Sequence, residues 1–125
     1  MLDVCTLLIF ITIFIHLLFF KLESIDFMKD KTLKRLGLNN DQAAVVKTWA
    51  FNQGFYNLFL ALGLVYATFL LQGDSVELGK VLAQFILLTI VGAGLVLIYS
   101  APDKYKAGVV QAAPALFALV FSLFI

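Results

Sequence analysis

The chain has 125 residues, of which 62% are hydrophobic and 14% are charged, and its mean hydropathy is +1.01. A soluble domain of this length does not carry so much apolar surface, so the composition indicates an integral membrane protein. The formal net charge of +1 gives no reason to expect a nucleic acid partner, and the single cysteine, Cys5, excludes an internal disulfide and a cysteine-rich metal site.

Four apolar segments are each long enough to cross a bilayer as a helix. We predict helices at about residues 2–20, 43–71, 78–99 and 107–125, with a cytoplasmic loop at 21–42. The first segment has no basic residue before it and no small-residue cleavage site after it, which favours a retained helix over a secretory signal. The pattern therefore predicts an all-α, single-domain four-helix transmembrane bundle over residues 1–125.

Lysine and arginine are distributed unevenly around these segments. Eight of the nine lie within residues 21–47 and 104–106, and only Lys80 lies in the remaining connection. Because basic loops stay on the cytoplasmic side, we expect both termini to be extracytoplasmic. The longer loop contains enough apolar residues for a short interfacial helix ending near Gly37, but a solvated loop with snorkelling lysines is an equal alternative.

Polar and amphipathic side chains occur in the cytoplasmic half of all four segments, where hydrocarbon makes a polar group costly unless it has a partner. They are His16, Glu23, Trp49, Asn52, Gln53, Tyr56, Asn57, Tyr99 and Gln111. The five from the second segment recur at helical spacings and form one stripe. We interpret the set as a polar pocket near the cytoplasmic face that binds a lipophilic small molecule or a membrane lipid. Interhelical hydrogen bonding with an aromatic belt is the alternative that needs no ligand.

An enzyme is a second hypothesis for the same residues. In a membrane isomerase or hydratase, His16 would be the general acid/base, Glu23 would orient it or stabilise a cation, and neighbouring amides would orient the substrate. A small transporter and a structural accessory protein are further alternatives, and a homodimer stays open. The sequence has no metal-ligand histidine pair and no phosphate-binding glycine loop, so we predict no metal and no cofactor.

Two segments resemble the signatures of a known family. Residues 52–63 read NQGFYNLFLALG and residues 111–116 read QAAPAL. Together with the stretch from His16 to Glu23, they resemble the domain-of-unknown-function 1304 family of small bacterial membrane proteins, over essentially the whole chain. The resemblance implies the four-helix layout and a multi-pass protein of a bacterial plasma membrane, and it implies no activity. Ile15 stands where the family often has an acid beside the histidine.

Overall fold

The computed structural model describes residues 2–125, and all of its regular structure is helical. The elements in chain order are α1 Leu2–Phe20, a π-helical segment Lys21–Ile25, α2 Asp30–Leu36, α3 Asn40–Gln72, α4 Val76–Ser100, a 3-10 turn Pro102–Lys104 and α5 Tyr105–Ser122. No strand occurs in the described residues, so the predicted all-α class is confirmed. Each long helix covers most of one predicted apolar segment.

The surface of the molecule indicates a membrane environment. Four helical stretches, which include α1, α3, α4 and α5, are long and apolar enough to cross a membrane. Their outward faces expose large apolar side chains such as Phe14, Phe59 and Phe69. Hydrocarbon accommodates such a surface at no cost, whereas water does not. The chain therefore has the features of a multi-pass membrane protein.

The start of α3 is encoded by a capping box. Asn39 accepts a hydrogen bond from the Gln42 backbone at 2.8 Å, and the Gln42 side chain accepts one from the Asn39 backbone at 3.0 Å. This exchange satisfies backbone donors that a helix start leaves free. The helix therefore begins at Asn40, earlier than the apolar pattern alone predicts, and its 33 residues span about 50 Å, more than a bilayer core requires.

The basic loop contains the short helix α2. Gly37, with φ of 69°, ends it in the left-handed conformation that glycine adopts without strain. The backbone N–H of Leu38 then bonds to the carbonyl of Leu33 at 3.0 Å. Leu33 also packs with Phe27 and Ala43 in a small apolar cluster. These contacts hold α2 against the first turns of α3.

The four long helices pack as a closed ring in which α1 and α4 each contact both α3 and α5. Aliphatic side chains fill the interior, and Ile9, Leu64, Leu87 and Ile90 are fully buried. The π-helical segment packs against α3 at the end of the ring where α2 lies. Most of the basic residues are at this end.

Candidate functional site

The π-helical segment Lys21–Ile25 continues α1 with a wider turn. The N–H of Asp26 bonds to the carbonyl of Lys21 at 2.8 Å, five residues back instead of the usual four. Single π turns inside helices occur often at functional sites because the extra residue redirects the side chains that follow. Here the segment directs Glu23 and Ser24 towards α3.

Glu23 and Asn57, two of the predicted site residues, are in direct contact. The Nδ2 of Asn57 donates to the Glu23 carboxylate at 2.8 Å and to the Gln53 carbonyl at 3.2 Å. Asn57 is only 5% exposed. Nearly two turns earlier on α3, the Ser24 hydroxyl donates to the Phe51 carbonyl at 2.7 Å. A carboxylate–amide pair and a hydroxyl bond thus hold the π-helical segment on α3.

Ser24 comes this close to α3 because position 54 is glycine. A methyl carbon built there would overlap the Ser24 hydroxyl and lie 3.0 Å from the backbone nitrogen of Ser24. Gly54 belongs to the NQGFYN stretch on which the family resemblance partly rests. In the structure, this stretch provides both the amide for Glu23 and the space for Ser24.

His16 lies inside the bundle and is 0% exposed. Its Nδ1 is 2.9 Å from the Thr12 carbonyl oxygen, which can only accept, so Nδ1 carries the proton and donates. Its Nε2 has no hydrogen-bond partner and is the one buried side-chain nitrogen or oxygen of the described residues in that condition. The nearest aromatic neighbour is Phe19, whose ring centroid is 6.1 Å away in an edge-on arrangement. His16 and Glu23 therefore bond to different partners.

The other predicted site residues do not join this contact. Trp49 and Tyr99 are 80% and 89% exposed, and Asn52, Gln53 and Tyr56 also lie on the outer surface. The Nδ2 of Asn52 donates to the Thr48 carbonyl of its own helix at 2.9 Å. Gln111 on α5 is half-buried. The stripe on α3 thus faces the surroundings of the bundle, except at Asn57.

A cleft of about 750 Å³ opens between α1, α5 and the segment that carries α2. We call it the basic cleft. Its apolar walls and its charged rim come from Ile15, Leu18, Phe19, Lys21, Leu22, Asp26, Lys29, Lys31, Thr32, Arg35, Lys106, Ala107 and Val110. None of the nine predicted site residues is among these. The volume is within the range of ligand pockets, about 300–1,000 Å³.

Two of the basic groups at the rim are already paired. Asp26 accepts from Lys21 and forms an ion pair with Lys29 at 2.7 Å. The hydrogen bond from Lys21 is the largest cause that lowers the pKa of Asp26 below its usual value, and the one from Lys29 is the next largest. Across residues 2–125, no other ion pair between side chains forms. Three cationic groups of the cleft, Lys31, Arg35 and Lys106, therefore have no carboxylate partner in the described chain.

Sequence reasoning missed the basic cleft, although its signals were present. Ile15, Leu18 and Leu22 recur at helical spacing along α1 and the π-helical segment, and Lys21 lies beside them. The basic residues predict the orientation and, in the longer loop, snorkelling lysines, but their pattern alone does not predict a cleft. The described residues contain no group of three or more His, Cys, Asp or Glu side chains that could hold a metal ion.

Comparisons with known proteins give a family and nothing beyond it. A family model described as "Protein of unknown function (DUF1304)" matches residues 10–123. No curated protein and no solved structure matches the chain. The matched range includes α3, the π-helical segment and the basic cleft.

Proposed function

Because the chain belongs to the DUF1304 family of proteins of unknown function, its own geometry has to indicate its activity, and we propose that it binds an acidic glycerophospholipid in the basic cleft. The observation that most supports this proposal is the lining of the cleft, which has apolar walls from α1 and α5 and a cationic rim. This arrangement matches a molecule with an anionic head and an acyl chain.

Charge is the first support for this proposal. With Asp26 committed to Lys21 and Lys29, an anion at the rim would meet Lys31, Arg35 and Lys106. A guanidinium binds a phosphate through two parallel N–H groups, and each basic group near an acidic membrane surface contributes about 1 kcal/mol. An uncharged or zwitterionic head would gain less from the same groups.

The position of the cleft along the helices is the second support. Lys21 and Lys106 lie near the ends of α1 and α5, whereas Ile15 and Val110 lie one to two turns further into the apolar parts of the same helices. A bound lipid would thus keep its head at the interface and its chain in hydrocarbon. On the positive-inside rule, this is the cytoplasmic leaflet of a bacterial plasma membrane, with both termini outside.

The test compares two double variants that each remove two positive charges from the same end of the bundle. Arg35→Gln/Lys106→Gln removes them from the cleft, and Lys34→Gln/Lys47→Gln removes them from exposed positions outside it. Purified protein in uncharged detergent is titrated with phosphatidylglycerol or phosphatidylcholine and followed by native mass spectrometry. We expect phosphatidylglycerol to bind the cleft variant roughly 30-fold more weakly and the control variant nearly as well as wild type.

An equal loss in both variants would mean that the basic end attracts acidic lipids without a specific site. If wild type binds phosphatidylglycerol and phosphatidylcholine equally well, the proposal is wrong. Because surface attraction is screened by salt, the titrations are repeated at low and high ionic strength. If the lipid headgroup binds inside the cleft, wild type should still bind phosphatidylglycerol more tightly than the cleft variant does at high salt.

A further inference from the structure

The Nε2 atom of His16 needs a hydrogen-bond donor, and the basic rim of the cleft does not account for one. A buried acceptor without a partner costs about as much as a lost hydrogen bond, so a native protein normally pairs such a group. Since the N–H of Nδ1 is committed to the Thr12 carbonyl, Nε2 presents a lone pair and needs a donor. No described residue provides one.

Phe19 connects this nitrogen to the basic cleft. Phe19 lines the cleft, and its ring also lies edge-on to the His16 ring. Residue 16 lies about 60° around the helix from residue 19 and about 7.5 Å along the axis from Lys21. A ligand in the cleft would have to displace the Phe19 side chain to reach Nε2, on the chain side of its anionic head.

We propose that His16 is a specificity-determining residue whose Nε2 accepts a hydrogen bond from a free hydroxyl of the bound acidic lipid. This inference rests on the proposed function and narrows its ligand class. The ligand that fits is a single-chain glycerophosphate, in which the phosphate meets the rim and an unesterified glycerol hydroxyl lies beside it on the chain side. A diacyl lipid with no hydroxyl at that position leaves Nε2 unpartnered.

The test uses two probes that differ in one hydroxyl. The first is 1-oleoyl-glycerol-3-phosphate, and the second is its 2-deoxy analogue with the same head and chain. Wild-type protein should bind the hydroxyl probe about two- to tenfold more tightly, the range for one neutral hydrogen bond. His16→Leu should bind both probes equally, whereas His16→Gln, which keeps an acceptor near the Nε2 position, should retain part of the preference.

A spectroscopic measurement separates contact from an indirect effect. The chain contains one histidine, so histidine-selective ¹⁵N labelling of a protein without a polyhistidine tag reports on this ring alone. The hydroxyl probe should move the unprotonated nitrogen resonance upfield, and the deoxy probe should leave it in place. Phe19→Trp, which enlarges a side chain that contacts both the cleft and the histidine, should abolish that movement.

The outcomes separate the two proposals. If wild type binds both probes equally and the resonance does not move, the role of His16 is wrong and the acidic-lipid proposal stands. If wild type binds neither probe better than an uncharged monoacylglycerol, both proposals fail. An equal hydroxyl preference in wild type and His16→Leu would also overturn the role of His16.

Discussion

Replacing Gly54 by alanine tests how α3 holds the π-helical segment. The added methyl group would overlap the Ser24 hydroxyl and lie 3.0 Å from its backbone nitrogen, so the segment itself has to move. Overpacking of this kind costs about 1–3 kcal/mol. Loss of the Ser24 bond to the Phe51 carbonyl adds about 0.5–1.5 kcal/mol, and the better helix propensity of alanine returns about 1 kcal/mol. We expect a net loss of about 0.5–3.5 kcal/mol.

The assay is equilibrium unfolding by sodium dodecyl sulfate in mixed micelles, followed by far-ultraviolet circular dichroism. Gly92→Ala is the matched control, because a methyl carbon there would have no atom within 4 Å apart from its chain neighbours and the adjacent backbone of its own helix. It should be neutral or stabilising by up to about 1 kcal/mol. Adding Ser24→Gly to Gly54→Ala removes the overlapping hydroxyl and should restore at least half of the loss. Equal stability of Gly54→Ala and Gly92→Ala would refute this account of the contact.

Three further predictions concern single side chains at the same end of the bundle. Asn57→Leu removes the amide donor of a partly buried carboxylate and should lower the unfolding free energy by about 1–3 kcal/mol, whereas Glu23→Gln keeps an acceptor and should cost less than about 1 kcal/mol in the same assay. His16→Leu removes the unpartnered nitrogen and should leave stability unchanged or raise it by about 1 kcal/mol, and a lower melting temperature would contradict this. Asp26 has a lowered pKa because its two lysine partners hydrogen-bond it. Its stabilising effect is therefore present above the ordinary aspartate pKa and is lost as the pH falls through the lowered value. The protection of α2 amides against hydrogen exchange, taken relative to the intrinsic exchange rate at each pH, should fall in that acidic range for wild type. Asp26→Asn should show lower protection already at neutral pH and lose the acidic step.

The fold follows from the sequence because a single physical demand dominates it. Every backbone polar group inside a bilayer needs a partner within its own segment, so a long apolar run has almost no alternative to a helix. The Asn39 capping box and the left-handed Gly37 add local signals that apolar periodicity does not contain. The π turn at Lys21–Ile25 has no comparable signal, because its cost is offset by contacts with α3 that lie far away in sequence.

The site was less predictable, and the reason lies in the direction of each side chain. Helical spacing groups residues on one face but does not say which face meets the neighbouring helices. On α3, the predicted stripe includes Asn57, which points inward, and Trp49 and Tyr56, which point outward. In a membrane, both faces are apolar enough for either choice, so hydropathy does not separate them. The basic cleft depends in addition on the position of α2, which tertiary packing decides.

The basic cleft and the contact with α3 share the π-helical segment. Lys21 and Leu22 belong to the rim and wall of the basic cleft, and the next two residues, Glu23 and Ser24, bind α3. Neither Glu23 nor Ser24 lines the cleft, yet a shift of either moves the adjoining rim residues with it. Gly54→Ala should therefore weaken phosphatidylglycerol binding from a helix that does not line the cleft, and Ser24→Gly should restore binding and stability together. Unchanged phosphatidylglycerol binding by a destabilised Gly54→Ala variant would show that the cleft and the α3 contact are independent.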